Sequence, residues 1–112
     1  VTFDQFDVVV VPFPFTDTSG SKKRPALVLS DAVAFNTLLS RSVMAMITTR
    51  THAPWVLDVP ITDLSSAGLK AASIVRMKLF TLDDALVLRH IGTLAEADKA
   101  AVKQALQQLF NW

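Results

Sequence analysis

Two stretches of the chain carry side chains that could handle a phosphodiester. The first is Pro12-Phe13-Pro14-Phe15-Thr16-Asp17-Thr18-Ser19-Gly20-Ser21-Lys22-Lys23-Arg24-Pro25. Aromatic rings flank a polar loop, and the loop ends in three consecutive cations. Aromatic faces stack on unpaired bases, and cations at a loop end grip phosphates. Phe15, Thr16, Lys22, Lys23 and Arg24 are the candidates here. The plainer reading makes Phe13 and Phe15 core or interface residues and the three cations a solvated edge. The second stretch is Ile47-Thr48-Thr49-Arg50. Two hydroxyls and a guanidinium close an apolar run, and all three can hydrogen-bond phosphate oxygens. An ordinary polar strand end would look the same in isolation.

Most other chemistries are excluded by what the 112 residues lack. There is no cysteine, so no disulfide framework, thiolate metal site or cysteine nucleophile. Two histidines, His52 and His90, and one glutamate leave little from which to build a metal site or a general acid–base pair. No metal and no cofactor is expected. No Gly-x-Gly-x-x-Gly, Walker A or Gly-x-Ser-x-Gly motif occurs. An enzyme made from this inventory works by positioning and electrostatics. The formal net charge of +1 conceals an uneven distribution. Residues 22–78 hold eight bases against three acids, a local excess of +5, whereas residues 1–21 carry three aspartates and no base. A basic segment of this kind can be an electrostatic footprint for phosphates, although eight bases over 57 residues is also only a mild enrichment.

The elements that must position these groups are short. Length alone predicts one domain over residues 1–112. The β-branched run Val8-Val9-Val10-Val11 reads as a strand buried on both faces, ended by Pro12 and Pro14. Further strands are expected over residues 26–29, 43–47, 55–59, 73–82 (one strand or two) and 86–91. Ser30-Asp31 can cap a helical turn over residues 32–36, with Leu38 and Leu39 turned back on the core. Thr93-Leu94-Ala95-Glu96 has capping-box spacing. After it, Val102, Ala105, Leu106 and Leu109 form one apolar stripe of a helix. Five or six short strands followed by one amphipathic helix describe a mainly β chain, a small barrel with a helix on its side.

Hydrophobic residues make up 51% of the chain and charged residues 19%. That surplus implies a membrane or a partner surface. The longest apolar stretch, residues 8–15, holds two prolines and is too short to span a bilayer. The first residues show no signal peptide, and Val1 stands where an initiator methionine would, as in a processed chain. The expectation is a cytoplasmic domain that buries surface against another chain.

The run Asp7-Val8-Val9-Val10-Val11-Pro12-Phe13-Pro14-Phe15-Thr16-Asp17, with Lys23-Arg24-Pro25-Ala26-Leu27-Val28-Leu29-Ser30, closely resembles the opening of the MazF/PemK family, toxins of type II toxin–antitoxin systems. Ile47-Thr48-Thr49, Ser73-Ile74-Val75-Arg76 with Leu79-Phe80-Thr81-Leu82, and the closing helix match later family elements. The resemblance implies a small SH3-like (plug) barrel of five to six short strands with a C-terminal amphipathic helix. It also implies a homodimer, a cognate antitoxin as protein partner, and metal-independent, sequence-selective cleavage of single-stranded RNA. Carried over residue by residue, Arg24 and Thr48 become the catalytic pair that holds and activates the scissile phosphate. Lys22, Lys23, Phe15, Thr16, Thr49, Arg50, Arg76 and Lys78 become RNA-binding candidates, with His52 and Trp55 as weaker ones. Some relatives carry an acidic residue after the Val-Arg element. Arg76-Met77-Lys78 has none, so a base must come from elsewhere or be absent. Two alternatives stay open: a gyrase-inhibitor-like binder on the same fold, or a degenerate module that binds RNA or antitoxin without cutting.

Overall fold

A computed structural model describes residues 1–14, 22–50 and 53–112. Among these residues there are six strands: β1 (Asp7–Phe13), β2 (Lys22–Val28), β3 (Arg41–Thr49), β4 (Val59–Pro60), β5 (Ser73–Asp83) and β6 (Arg89–Thr93). They form one antiparallel sheet in the order β4-β5-β3-β2-β1-β6. The sheet curls into a half-barrel, and the helix α3 (Glu96–Phe110) packs on it through Val102 and Ala105. Two short helices, α1 (Thr37–Leu39) and α2 (Leu64–Ala67), lie in the connections, and a π-turn over Ala32–Asn36 leads into α1.

The valine run explains the sheet's two-sided burial. Val8 packs with Leu27, Ala45, Ile47, Val75 and the α3 residues on the concave face. Val9 and Val11 pack with Ala26, Val28, Met44 and Leu82 on the other face. Successive side chains point to opposite faces, so an all-apolar strand is one covered on both. β1 nevertheless runs through Pro12, which faces Lys23 of β2. β6 pairs only as far as Val10, so beyond it β1 has a neighbour on one side alone, where proline is tolerated.

Several local expectations are corrected. Residues 55–58 form a turn, and the strand there is only β4. The last strand runs over 89–93 instead of 86–91, because a 3₁₀ turn occupies Asp84–Leu86. Thr93 belongs to β6 and gives its hydroxyl to Asp7, so Ala95 takes the N-cap position of α3 with no side-chain cap. Leu38 and Leu39 point outward, 74% and 50% exposed. The Asp31 cap is present and accepts from the Ala34 N–H.

Asp98, in the first turn of α3, does more than complement the helix dipole. It is 2% exposed and accepts from Thr62 N–H (3.0 Å), Thr62 Oγ1 (2.7 Å) and Asp63 N–H (3.1 Å). This ties α3 to the chain leaving β4. Burial raises its pKa, but the bonds from Thr62 and Asp63 outweigh that and hold it below the usual 3.8. The carboxylate therefore stabilises the fold above its unfolded pKa, and the contribution is lost as pH falls through the lower folded value. Asp98→Asn puts an amide against backbone donors. It should cost about 1–2 kcal/mol at pH 7. In urea titrations the difference from the parent should shrink as pH falls below the usual carboxylate range.

Candidate functional site

Period-two alternation builds the site. On the face that carries the second core, β1 presents Val9, Val11 and then Phe13. β2 presents Val28, Ala26 and then Arg24. β3 presents Met44, Met46 and then Thr48, and β5 presents Leu82, Phe80 and then Lys78 and Arg76. Along each strand the same face passes from packed core to open cleft. Phe13, Arg24, Met46, Thr48, Lys78 and Arg76, with Ile47 and Trp55, line a cleft of about 190 Å³.

The two central residues border one cleft. Ala26 of β2 faces Met46 of β3. Arg24 and Thr48 each lie two residues further along their strands, beyond the end of the β2–β3 ladder, and both line the central cleft. Both also line an adjoining cleft of about 100 Å³ with Lys23, Thr49 and Ser73. A third cleft, sharing Arg76, holds Thr49, Arg50 and Asp58. The three clefts adjoin through shared lining residues and are together termed the groove.

A bulge supplies the cations on the β5 side. Ala45 faces Leu79 and Ile47 faces Val75, so the three residues Arg76, Met77 and Lys78 stand against Met46 alone. Bulges re-aim side chains beside functional sites. Here Met77 packs toward the concave core while Arg76 and Lys78 turn to the groove. The Lys78 ammonium lies 4.9 Å from the Phe13 ring centre and the Arg24 guanidinium 6.0 Å. The ring thus keeps two cations close together.

The expected residues distribute as follows. Arg24, Thr48, Arg76, Lys78 and Trp55 meet in the central cleft, and Lys23, Thr49 and Arg50 line its extensions. Lys22 is exposed at the start of β2 and lines none of the three. Phe15, Thr16 and His52 lie outside the described residues. Arg76 is engaged differently from a free phosphate grip. It is 9% exposed, and its Nε and Nη2 donate to Asp58 (3.2 and 3.0 Å) and to the Ala53 carbonyl (2.8 Å). Asp58 is the groove residue that sequence reading missed. A lone aspartate three residues after a tryptophan carries only a turn signal. Burial raises the Asp58 pKa, but the Arg76 hydrogen bond, the Trp55 N–H and the Arg76 charge together hold it below the usual carboxylate range.

The groove is therefore a cationic channel with aromatic walls, and its one carboxylate among the described residues is ion-paired. Among the described residues no three His, Cys, Asp or Glu side chains cluster as metal ligands. No helix among them is long and apolar enough to cross a membrane. A larger hollow of about 530 Å³, walled by Phe3, Ser40, Asp84 and residues 87–90, contains none of the expected site residues. His90 lies there, half exposed, with Nε2 3.2 Å from Asp7.

Comparison with known proteins places this geometry. Similar solved structures include the Mycobacterium tuberculosis toxin MazF-mt6, at 24% identity and TM-score 0.74, covering 94% of this chain and 96% of that one. A MazE–MazF structure from Deinococcus radiodurans matches at 21% identity and TM-score 0.77, covering 99% and 98%. A mycobacterial endoribonuclease in complex with its cognate antitoxin matches at 15% and 0.73, covering 98% and 94%. At these identities the likeness shows the fold. No curated protein sequence gives a significant match. A family model for the PemK-like, MazF-like toxin of type II toxin–antitoxin systems matches residues 4–110, so the chain belongs to that family.

Proposed function

We propose that this chain is an endoribonuclease toxin that cleaves single-stranded RNA without a metal ion. The observation that carries the proposal is that Arg24 and Thr48 line the same cation-rich clefts. RNA brings its own nucleophile, the 2′-OH. That oxygen attacks the adjacent phosphorus, the bond to the 5′-oxygen breaks, and the products are a 2′,3′-cyclic phosphate and a 5′-OH. The protein has to hold the backbone in line and stabilise the charge that builds on the phosphoryl oxygens. The forked donors of Arg24 suit those oxygens, and Thr48 anchors one of them. Lys23, Arg50 and Lys78 hold the flanking backbone.

The same groove suits an acidic, partly disordered antitoxin segment that folds as it binds. A homodimer accounts for the surplus apolar surface, and the working compartment is the cytoplasm. Solved relatives include toxin–antitoxin complexes, which supports the antitoxin reading. Incubation of the pure protein with mixed-sequence RNA in EDTA tests the activity. Cyclic-phosphate ends support it. Binding without cleavage would instead favour the non-cutting module.

The proton from the 2′-OH has no obvious side-chain acceptor among the described groove residues, because Asp58 is ion-paired. Hydroxide from solvent then serves as the base. The kcat/KM should rise about tenfold per pH unit between pH 6 and 8. A plateau setting in near a histidine pKa of about 6.5 would make His52 the base.

A further inference from the structure

We propose that Asp58 is a positioning residue that fixes Trp55 as a base-stacking wall of the groove, acting through Arg76. Its Oδ2 accepts from the Trp55 N–H at 2.8 Å and from Arg76 Nη2 at 3.0 Å, so one oxygen joins the turn to the sheet. Arg76 Nη2 also holds the Ala53 carbonyl at 2.8 Å, on the other side of Trp55. The guanidinium carbon lies 4.9 Å from the centre of the Trp55 ring. The turn is tight: Leu57 sits at φ 68°, in the left-handed region. The pair is well shielded, with side chains 11% and 13% exposed, so salt screens it little. Trp55 itself remains 48% exposed and lines the central cleft. Its ring carries one cation close by and keeps about half its surface exposed. A flat ring held this way selects an unpaired base beside the scissile phosphate. Arg76 acts through its contacts with the Trp55 turn, while Arg24 and Lys78 meet the backbone.

This inference takes RNA as the ligand and so rests on the ribonuclease reading. The test separates the two in a Trp112→Phe background, where Trp55 is the only tryptophan. Trp112 is 85% exposed and stacks on Phe110 at the far end of α3, away from the groove. Without RNA, Asp58→Asn should make Trp55 more accessible to acrylamide, and Asp58→Glu should partly restore protection. A non-cleavable single-stranded DNA oligonucleotide of mixed sequence should quench Trp55 in the parent and bind about tenfold more weakly to Asp58→Asn. In cleavage of mixed-sequence RNA, that variant should raise KM about tenfold at unchanged kcat and broaden the set of cut sites. Trp55→Ala, which leaves the ion pair in place, should give the same KM change. Unchanged acrylamide quenching in folded Asp58→Asn overturns the proposal. So does a fall in kcat at constant KM, or a parent protein whose Trp55 does not respond to the oligonucleotide. A parent that binds and quenches but never cuts refutes the ribonuclease reading and leaves the positioning role of Asp58 standing.

Discussion

Arg24→Ala is expected to abolish detectable cleavage of single-stranded RNA, with a loss of at least about 10²–10³-fold in kcat. The side chain is half-buried in the wall of the cleft that Thr48 also lines. Once the nucleophile belongs to the substrate, stabilising the pentacoordinate phosphoryl group is the largest task left to the protein. Arg24→Lys should recover little, because a single ammonium cannot reproduce two parallel donors. The fold should survive both changes. Arg24 touches Phe13 at 6.0 Å, a contact worth about 0.5–1 kcal/mol at an accessible site. Cleavage assays beside thermal unfolding decide the matter. Full activity in Arg24→Ala would remove this residue from the mechanism.

A large loss of stability is expected from Gly92→Ala, at about 3 kcal/mol. A Cβ on Gly92 would lie 2.4 Å from the Ala67 carbonyl carbon and 2.5 Å from the Ser66 oxygen. Both are backbone atoms and cannot swing aside. The opposing glycine makes the mirror contact: a Cβ on Gly68 would lie 1.9 Å from the Ile91 oxygen, and Gly68 itself sits at φ 72° as the C-cap of α2. The end of α2 is thus pressed flush against β6, and Ser66 Oγ donates to the Thr93 carbonyl across the seam. Urea unfolding measures the effect. A Gly92→Ala midpoint matching the parent, within about 0.5 kcal/mol, would mean that the seam can open.

Much of this was legible in advance, and the remainder was hidden for physical reasons. The four valines announced a strand covered on both sides because nothing else makes every position apolar. The Arg24 cluster stood out because three cations end a polar loop, and Thr48 because hydroxyls close an apolar run; the family resemblance joined the two as a pair. That they border one cleft depends on how the strands curl, which a single sequence does not display. Residues 55–58 looked like a strand because Trp55, Val56 and Leu57 are apolar, yet Val56 is 85% exposed. What decides the turn is Asp58, bonded to Trp55 nearby and to Arg76, eighteen residues away. Thr93-Leu94-Ala95-Glu96 failed as a capping box because β6 claims Thr93 for the sheet. Local spacing proposed a cap, and tertiary pairing overrode it.

The bulge in β5 bears on how such a protein could change over generations. Ladder pairs on either side of it, Ala45 with Leu79 and Ile47 with Val75, differ by two residues in register. Loss of two codons between Val75 and Leu79 would join them into an uninterrupted ladder and keep Val75 and Leu79 facing inward. The same deletion would take away two of the three residues from Arg76 to Lys78, and with them one or both cations on that side of the groove. The scaffold and the cationic wall are therefore separable in the gene. A lineage could disarm the groove in one short deletion while keeping a body that a partner still recognises.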